Sequence, residues 1–537
     1  MVPEEPLDYD VLIIGAGLSG MYSLIRMREL GLRTRVIEAG SRVGGTWYWN
    51  RYPGARFDSE SVSYGFSFSP ELLAEWRWTE RFAGQPETER YCQFVSAKFD
   101  LGRDITFDCR VRAARFRAGS RSWEVTAAGG ARFTARFLLT ALGPLTAATL
   151  PDVPGVHDFA GPAFHTSRWP AGVELAGKRV AVMGTGATGI QTIQTIAPVV
   201  AHLTVIQRQP NWAKPLHNGP ISAAEMARVR RESGRIFQRC AETSNGFVHG
   251  ALADPRRTVE VPRAEREAFW ERLYAEPGFG FVLSNYRDIH TDREANALLS
   301  AFAAAKIRAR VRDPATAARL IPRNHGVGTK RLPLESGYYE VFNLPHVELV
   351  DLRDTPLERV TARGIRTTAG EHAVDVLIYA TGFDAITGAF DAIAFAGVGG
   401  ATLRERWRAG PQTYLGMTVP DFPNLFMIMG PHQAMGNIPP SIEYAVGWVA
   451  ALLRHCRARG VTWVEPTAAQ AREWHAHVQD CAAGLLANQV DSWMTGVNRN
   501  VAGRQKRIIM RYQGGILVFR RYCDQVAADQ YRQMKLE

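Results

Sequence analysis

Two glycine-rich turns, each preceded by a short apolar run, constrain the fold of this 537-residue chain more than any other feature. In the first, residues 11–14 lead into Gly15, Gly17 and Gly20, and a helix-like segment follows. A second apolar run then ends in Glu38, 23 residues after Gly15. This order predicts a βαβ unit in which glycines admit a pyrophosphate to a helix N-terminus and the acid holds ribose hydroxyls. The alternative is a glycine-rich turn that binds no ligand.

The second turn repeats this order with the opposite charge at one position. An apolar strand precedes Gly184, Gly186 and Gly189, and a helix and a second strand follow. The next residue is Arg208, 24 positions after Gly184, where the first unit carries an acid. A carboxylate repels a ribose 2′-phosphate, whereas a guanidinium binds one through charge-assisted hydrogen bonds. The first unit therefore predicts FAD or NAD and the second predicts NADPH, unless Arg208 is only a solvated arginine at a strand end.

Two such units in one chain predict a flavoprotein in which one domain binds FAD and the other brings NADPH. The fold class is then α/β, with two Rossmann-like dinucleotide-binding domains. Between them, residues 216–324 are rich in Ala, Arg and Glu with apolar residues at helical spacing, which predicts an inserted helical subdomain. This insertion either roofs a substrate pocket, moves with the NADPH domain or only adds solubility. The predicted boundaries are 1–145 for the first part of the FAD domain, 146–175 for an interdomain linker, 176–215 with 325–380 for the NADPH domain, 216–324 for the insertion and 381–537 for the second part of the FAD domain.

The charge distribution argues against a nucleic-acid partner. Net charge is +11, from 64 Lys and Arg against 53 Asp and Glu, but the basic residues are scattered and form no long block. This pattern predicts an ordinary solvated surface that also attracts anionic cofactors. No apolar run reaches about 18 residues, and the acidic first ten residues run straight into a strand. Neither a membrane span nor a signal peptide is therefore predicted.

The cysteine spacing limits which reactions a flavoprotein of this kind can catalyse. They are Cys92, Cys109, Cys240, Cys456, Cys481 and Cys523, and no two of them have a CxxC or other ligand spacing. Isolated cysteines predict reduced thiols, a cytoplasmic location and no metal site. A disulfide reductase needs a redox pair beside the flavin, so that class is nearly excluded. A monooxygenase needs no protein nucleophile, because the reduced flavin itself reacts with O2.

Two longer patterns carry a family resemblance. The stretch FAGPAFHTSRWP has Phe159, Gly161, His165, Trp169 and Pro170 at the spacing F-x-G-x-x-x-H-x-x-x-W-[P/D]. The stretch GGTWYWNRYPGARFD fits G-G-x-W-x4-[FY]-P-G-x3-D and supplies Gly44, Gly45, Thr46, Trp47, Tyr52, Pro53, Gly54 and Asp58. The chain resembles the type I Baeyer–Villiger monooxygenases over nearly its whole length. The related N- and S-oxygenating flavin monooxygenases look similar but usually lack the Trp-Pro ending.

The resemblance implies a reaction and places residues in it. In this family, NADPH reduces FAD, O2 gives a C4a-peroxyflavin, and a ketone becomes an ester or lactone. The catalytic arginine of the family corresponds to Arg331, and the carboxylate that pairs with it corresponds to Asp58. Arg331 is a fixed cation that keeps its proton, which suits the stabilisation of developing anions.

The resemblance also assigns the cofactor contacts. The first glycine turn already assigns Gly15, Gly17, Gly20 and Glu38 to FAD, and the resemblance adds Gly45, Thr46, Trp47 and Asp58 as cofactor contacts. The NADP contacts fall on Gly184, Gly186, Thr188, Gly189, Gln191, Arg208, Lys330, Arg331 and Trp493, with the tryptophan in a mobile loop. Arg208 and Lys330 correspond to contacts with the 2′-phosphate, and Thr188 and Gln191 lie near the pyrophosphate. His165 either couples domain motion to catalysis or belongs to a purely structural linker.

Two departures from the family pattern and two alternatives stay open. Gln209 stands where many relatives carry a small hydroxyl residue, and the loop SWMTGVNRNVAGRQKR is longer than in common cyclic-ketone enzymes. The nearest alternative is an N- or S-oxygenating flavin monooxygenase, and a more distant one is a flavin-dependent redox sensor. The expected partners are a small-molecule ketone, cyclic or bulky, and O2, without nucleic acid or membrane. The expected assembly is a monomer or a weak homo-oligomer.

Overall fold

The computed structural model describes residues 6–248 and 253–537. The strands are β1 Tyr9–Ile14, β2 Thr34–Ile37, β3 Ile105–Thr106, β4 Val111–Arg117, β5 Ser122–Ala127, β6 Arg132–Thr140, β7 Ala163–His165, β8 Arg179–Met183, β9 His202–Gln207, β10 Lys214–Pro215, β11 Leu334–Glu335, β12 Val347–Asp351, β13 Leu357–Thr361, β14 Gly364–Thr367, β15 Gly370–Ala373, β16 Val376–Tyr379, β17 Ala394–Ala396, β18 Leu425–Met427, β19 Val464–Glu465 and β20 Lys535–Leu536. Of the acidic N-terminal segment used above, residues 1–5 lie outside the described part.

The helices are α1 Leu18–Glu29, α2 Thr46–Trp49, α3 Pro70–Glu75, α4 Gln85–Lys98, α5 Ala187–Ile196, α6 Ala223–Glu242, α7 Arg263–Ala275, α8 Gly280–Leu283, α9 Arg293–Arg310, α10 Pro314–Leu320, α11 Gly388–Asp391, α12 Leu403–Arg406, α13 Ile438–Ala458, α14 Ala468–Ala482 and α15 Ile516–Ala528. Several begin where a polar side chain accepts a backbone N–H, as Ser222 does for α6 and Asp292 for α9.

The first sheet contains the first glycine turn. Its strand order is β17-β4-β5-β6-β1-β2-β3, and β18 also pairs with β6. Strand β1 lies between two parallel neighbours, with Ile13 opposite both Val36 and Leu139. The last four residues of β1 are buried, as expected for a strand covered on both faces. Because β17 and β18 come from beyond residue 390, this sheet joins the beginning and the later part of the chain.

The second sheet contains the second glycine turn and is parallel throughout. Its order is β12-β9-β8-β16-β7, with Val182 of β8 opposite both Val205 and Ile378. The edge strand β7 lies inside the segment predicted as the linker, which has no clear strand period in the sequence. His165 ends this strand, opposite Tyr379. The 146–175 segment is thus partly built into the second sheet, and the predicted domain boundaries as a whole stay predictions.

Helices α6 to α10 lie between β10 and β11, in the region where the sequence predicts a helical insertion. Residues 249–252 of that region lie outside the described part. Helices α7 to α10 pack into the same apolar cluster as the second sheet, through buried side chains such as Trp270, Leu299 and Leu320. Within the described ranges, no helix has the length and apolar character needed to cross a bilayer.

Candidate active site

The first glycine turn is closely packed against two other backbone segments. Gly15 has φ +103°, and a Cβ atom there would lie 2.6 Å from the carbonyl oxygen of Ala141. A Cβ atom on Gly45 would lie 2.8 Å from the Cα atom of Gly17, so two glycine-rich loops touch here. Gly20 packs in the same way on the carbonyl oxygen of Gly15. Side chains are therefore excluded from the entrance of α1.

Glu38 follows β2 and turns its carboxylate toward this turn. One carboxylate oxygen accepts the backbone N–H of Ala16 at 2.7 Å, and the other accepts that of Gly40 at 2.7 Å. Burial raises the pKa of Glu38, while these hydrogen bonds act in the opposite direction. The acid is thus fixed at the strand end, as the sequence predicts for a residue that holds ribose hydroxyls.

The second turn has the same construction. Gly184 has φ +114°, and a Cβ atom there would lie 2.4 Å from the carbonyl oxygen of Ala380. Gly189 packs on the carbonyl oxygen of Gly184, whereas Gly186 faces open space. Neither α1 nor α5 has a side-chain cap or an acid in its first turn. Both helix N-termini therefore present uncapped N–H groups beside glycines, which is the environment that a dinucleotide pyrophosphate requires.

The segment 44–54 extends from the first turn to the second. Gly44 and Gly45 both have positive φ and start the short helix α2, in which Thr46 is exposed and Trp47 is buried. The Trp47 indole N–H donates to the Tyr64 hydroxyl at 3.2 Å, which fixes the ring in the FAD-side core. This segment thus places an exposed Thr46 next to the Gly17–Gly45 contact.

Its far end packs on helix α5. The Tyr52 hydroxyl donates to the Gln191 side-chain oxygen at 2.8 Å, and Thr188 also hydrogen-bonds to Tyr52. Burial raises the pKa of Tyr52 to about 12, so the phenol keeps its proton. Gly54 lies so close to this helix that a Cβ atom would be 2.2 Å from the Thr195 hydroxyl oxygen. The two motifs that the sequence assigns to different cofactors are therefore in direct contact.

Arg331 and Asp58 form an ion pair across 273 positions of sequence. A guanidinium nitrogen of Arg331 lies 2.5 Å from a carboxylate oxygen of Asp58, which also accepts the Leu334 backbone N–H at 3.1 Å. The Asp58 side chain is 1% exposed and that of Arg331 is 34% exposed. The guanidinium also lies 5.5 Å from the centre of the Phe279 ring. Asp58 thus holds a cation whose other side is open, and Phe279 is a neighbour that sequence reasoning missed.

Arg208 and Lys330 belong to a cluster of three cations. Arg208 is exposed at the end of β9, yet nearby atoms displace enough water to lower its pKa, and the charge of Arg499 lowers it further. Burial lowers the pKa of Lys330, and the charges of Arg208 and Arg499 add to this, while Asp491 opposes it. Three neighbouring cations repel one another, and a bound anion would relieve this repulsion. Arg499, which also pairs with Asp491 at 3.2 Å, was not predicted.

Gln209 lies within this cluster, at the position where the family pattern differs. Its side-chain oxygen accepts a hydrogen bond from the Lys330 ammonium at 3.5 Å, and its backbone oxygen accepts one from Thr185 at 2.9 Å. The glutamine side chain thus orients Lys330. The hydroxyl side chain that many relatives carry at this position would be shorter. The signal that could have revealed Arg499 is the longer loop already noted in the sequence.

His165 connects the fingerprint segment to the chain that leaves the second sheet. The Ser167 backbone N–H donates to its Nδ1 atom at 3.1 Å, so Nε2 carries the proton. Nε2 then donates to the Gly382 carbonyl oxygen at 3.0 Å. Burial lowers the pKa of His165 to about 4, which keeps the ring neutral. Thr149 and Thr381 bond to each other beside it, so the two segments that connect the sheets run side by side.

The other fingerprint residues are structural neighbours of this crossing. Phe159 is buried under the second sheet, and a Cβ atom on Gly161 would lie 2.8 Å from the Phe159 ring. Trp169 packs edge-on against Phe164 at 4.9 Å between ring centres. These contacts support the two segments that connect the sheets. Among the fingerprint residues in the described part of the chain, His165 is the one that hydrogen-bonds from one of these segments to the other.

Trp493 lies in a different part of the site. It is half-buried in a small apolar cluster with Leu145, Ile386, Ile508 and Met510. The structure therefore places the tryptophan beside the crossing segments. Its predicted closure on NADP, like the other residue roles, stays a prediction.

All six cysteines are free thiols, and the described residues include no group of three or more His, Cys, Asp or Glu placed to hold a metal ion. The family model for pyridine nucleotide-disulphide oxidoreductases matches residues 9–237. Since no cysteine pair is present, the match reflects the dinucleotide-binding fold.

Similar proteins cover the whole chain. A 2-oxo-Δ3-4,5,5-trimethylcyclopentenylacetyl-CoA monooxygenase from Pseudomonas putida is 40% identical over 98% of each chain. A Baeyer–Villiger monooxygenase from Pseudooceanicola batsensis is 38% identical, over 98% of this chain and 95% of that one. The phenazine N-monooxygenase PhzNO1 of Lysobacter antibioticus is 37% identical, over 99% and 97%. A crystal structure of OTEMO in complex with FAD and NADP superposes with a TM-score of 0.95 at 40% identity, covering 99% of this chain and all of that one.

Proposed function

The chain belongs to the Baeyer–Villiger monooxygenase family, and from that premise we propose which residues bind FAD, which bind NADPH and which act in oxygen transfer. The enzyme is an FAD- and NADPH-dependent monooxygenase that converts cyclic ketones to lactones. Bound FAD and NADPH supply the redox chemistry, namely hydride donation and the activation of O2. The observation that carries the residue assignment is the Arg331–Asp58 pair, an open-sided cation held by a buried acid where the two glycine-turn domains meet.

The first glycine turn is the FAD site in this proposal. The uncapped N-terminus of α1 and the Gly17–Gly45 contact fit a pyrophosphate, and Glu38 fits the adenosine ribose. Thr46 and Trp47 would hold FAD beside this turn, with Trp47 fixed by its hydrogen bond to Tyr64.

The second glycine turn is the NADPH site. Gly186 faces open space beside the uncapped N-terminus of α5, which leaves room for the pyrophosphate near Thr188 and Gln191. The cations Arg208, Lys330 and Arg499 fit the 2′-phosphate, because a doubly charged anion relieves their mutual repulsion.

Arg331 stabilises the negative charge that develops during oxygen transfer. One guanidinium nitrogen donates to Asp58 and to the Leu332 carbonyl oxygen, which leaves the N–H groups of the other two nitrogens for the reacting atoms. Asp58 acts on the arginine and is a positioning residue. Its second carboxylate oxygen is buried without a hydrogen-bond partner among the described residues, which fits a ligand that brings a donor.

N-oxygenation is the second candidate, because one relative of similar identity is a phenazine N-monooxygenase. The test is to incubate the FAD-loaded enzyme with NADPH and either cyclohexanone or phenazine, and to measure NADPH oxidation and product by mass spectrometry. We expect substrate-stimulated NADPH consumption and lactone formation with the ketone. N-oxide without lactone would favour the second candidate, and no stimulation by either would reject both assignments.

We further propose a cytoplasmic enzyme that acts as a monomer or weak homo-oligomer. The six free thiols support a reducing compartment. Size-exclusion chromatography with light scattering would test the oligomeric state directly.

A further inference from the structure

One cation near the proposed active site, Arg511, has no partner among the described residues. Arg511 is half-buried, and its buried Nε atom makes no hydrogen bond. In residues 6–248 and 253–537, no carboxylate forms an ion pair with its guanidinium. Other arginines of the same C-terminal segment do have such partners: Arg504 pairs with Asp391, and Arg507 with Asp491. A guanidinium withdrawn from water without an anion is costly, which makes Arg511 an exception that requires an explanation.

The backbone around Arg511 runs beside the stretch DFPNLFMIMGP (residues 421–431), whose Gly430-Pro431 is expected from the sequence to close on the flavin ring system. The Met510 carbonyl oxygen accepts the His432 N–H at 3.0 Å, and the Tyr512 N–H donates to the Gln433 carbonyl oxygen at 3.2 Å. These bonds follow directly on Gly430-Pro431. Arg511 is thereby held next to the expected position of the flavin ring.

The Arg511 guanidinium lies near enough to His290 for its charge to act on the imidazole. Burial lowers the pKa of His290, and the positive charge of Arg511 lowers it further. The His290 Nε2 atom donates to the Val282 carbonyl oxygen at 2.8 Å. His290 is therefore neutral and offers Arg511 no counter-charge.

His290 in turn packs against the turn that carries the proposed catalytic arginine. A Cβ atom on Gly328 would lie 3.1 Å from the His290 ring, and Gly328 is three residues before Arg331. The Val282 N–H bonds to the carbonyl oxygen of Phe279, over whose ring the Arg331 guanidinium lies. A series of neighbouring residues thus links Arg511, through His290 and Phe279, to Arg331.

We propose that Arg511 binds a carboxylate carried by the substrate, so that the preferred ketones are oxo acids. A guanidinium matches a carboxylate with two parallel hydrogen bonds, which fixes orientation as well as affinity. With the carboxylate at Arg511 and the ketone near Arg331, the substrate would be held at two points. This inference rests on the proposed function and specifies the substrate class of the same site.

The test compares 2-oxocyclohexaneacetic acid with its methyl ester, which differ by one negative charge at neutral pH. The FAD-loaded enzyme should show a higher kcat/KM for the acid than for the ester. Arg511→Met should lower kcat/KM for the acid about 10- to 100-fold and leave the ester within about threefold, because a hydrogen-bonded charge pair is lost only with the acid. Arg511→Lys should retain part of the preference.

A control variant separates this effect from general surface charge. Arg521→Met changes net charge by the same amount at an exposed position of α15 and should leave both substrates unaffected. The KM for NADPH should also stay unchanged in Arg511→Met. A rise in that KM with both substrates would assign the anion to the cofactor and overturn the proposal, as would equal losses for acid and ester.

Binding gives a readout that does not depend on turnover. Titration of the oxidised, FAD-loaded enzyme, followed by the flavin absorbance, should give tighter binding of the acid than of the ester, and Arg511→Met should abolish the difference. Arg511-dependent acid binding without lactone formation would reject the proposed function and support this inference. Equal binding of acid and ester by the unmodified enzyme would reject the inference.

Discussion

Replacement of Arg331 by methionine tests two roles of one side chain, since the arginine both neutralises a buried acid and faces the reacting atoms in our proposal. In Arg331→Met, the Asp58 carboxylate keeps the Leu334 N–H and loses its counter-ion. The variant should therefore be less stable and should also fail in oxygen transfer. The double variant Arg331→Met/Asp58→Asn separates these effects, because it removes the unpaired charge together with the arginine.

The structure sets the scale of each effect. Breaking a fully buried pair costs about 3–5 kcal/mol, but Arg331 is 34% exposed, so partial solvation reduces this to about 2 kcal/mol. The loss in lactone formation should be larger, on the order of 10²–10³-fold, because a preorganised cation near developing negative charge acts mainly on the transition state. We therefore expect Asp58→Asn in the double variant to restore most of the stability and none of the lost rate.

The assay follows three quantities in the FAD-loaded proteins: the denaturant midpoint, NADPH oxidation, and the lactone and hydrogen peroxide formed per NADPH. Arg331→Met should still bind FAD and oxidise some NADPH, with peroxide replacing lactone. Wild-type lactone yield per NADPH in this variant would refute the catalytic assignment. A double variant as unstable as the single one would refute the account of Asp58.

Three further predictions concern the cofactors and the crossing segments. Arg208→Ala should raise the KM for NADPH about tenfold, and Arg499→Ala should raise it about threefold, because Asp491 already pairs with Arg499. The kinetics with NADH should stay nearly constant in both variants. Equal losses with both nucleotides would contradict a phosphate site. Gly17→Val should give colourless protein, since its side chain enters the space beside Gly45, and a yellow variant with normal FAD content would show that this turn has been misassigned. Because the folded-state pKa of His165, about 4, lies below its unfolded value of 6.5, its contribution to stability is present above pH 6.5 and is lost as pH falls toward 4, by about 3 kcal/mol. The wild type should therefore lose its stability advantage over His165→Gln between pH 7 and pH 4.5 in denaturant titrations, and a constant difference would contradict the neutral, hydrogen-bonded ring.

The two glycine turns could be predicted from sequence because their requirements are local. Gly15 and Gly184 both take a positive φ and both approach the carbonyl oxygen of a small residue that follows a central strand, so only glycine fits at either position. The strands beside the second turn, β8 and β9, lie where the sequence predicts one strand before Gly184 and a second strand before Arg208, for a related reason. Buried parallel strands appear in a sequence as continuous apolar runs. Such runs can be recognised without knowing which strands pair with them.

The features that the sequence does not predict depend on contacts with residues that are distant in the chain. Strand β7 has three residues, which are too few to show a period. It forms only by pairing with β16, which lies more than 200 positions later in the chain. Arg499 and Arg511 are two of 64 basic residues, and no spacing distinguishes them from solvated arginines. What distinguishes them is which charges surround them in three dimensions. Arg499 lies near two other cations and pairs with Asp491, whereas Arg511 has no anionic partner in the described part of the chain.

Asp58 is where stability and the proposed chemistry depend on the same atoms. One of its carboxylate oxygens receives both Arg331 and the Leu334 N–H, whereas the other is buried without a partner in the described part of the chain. A buried acceptor without a donor costs about 1–3 kcal/mol, and the cost disappears when a bound molecule supplies an N–H group. The carboxylate is then saturated and holds the arginine in one position. Ligand binding at this site and the orientation of Arg331 are therefore coupled through the Asp58 side chain.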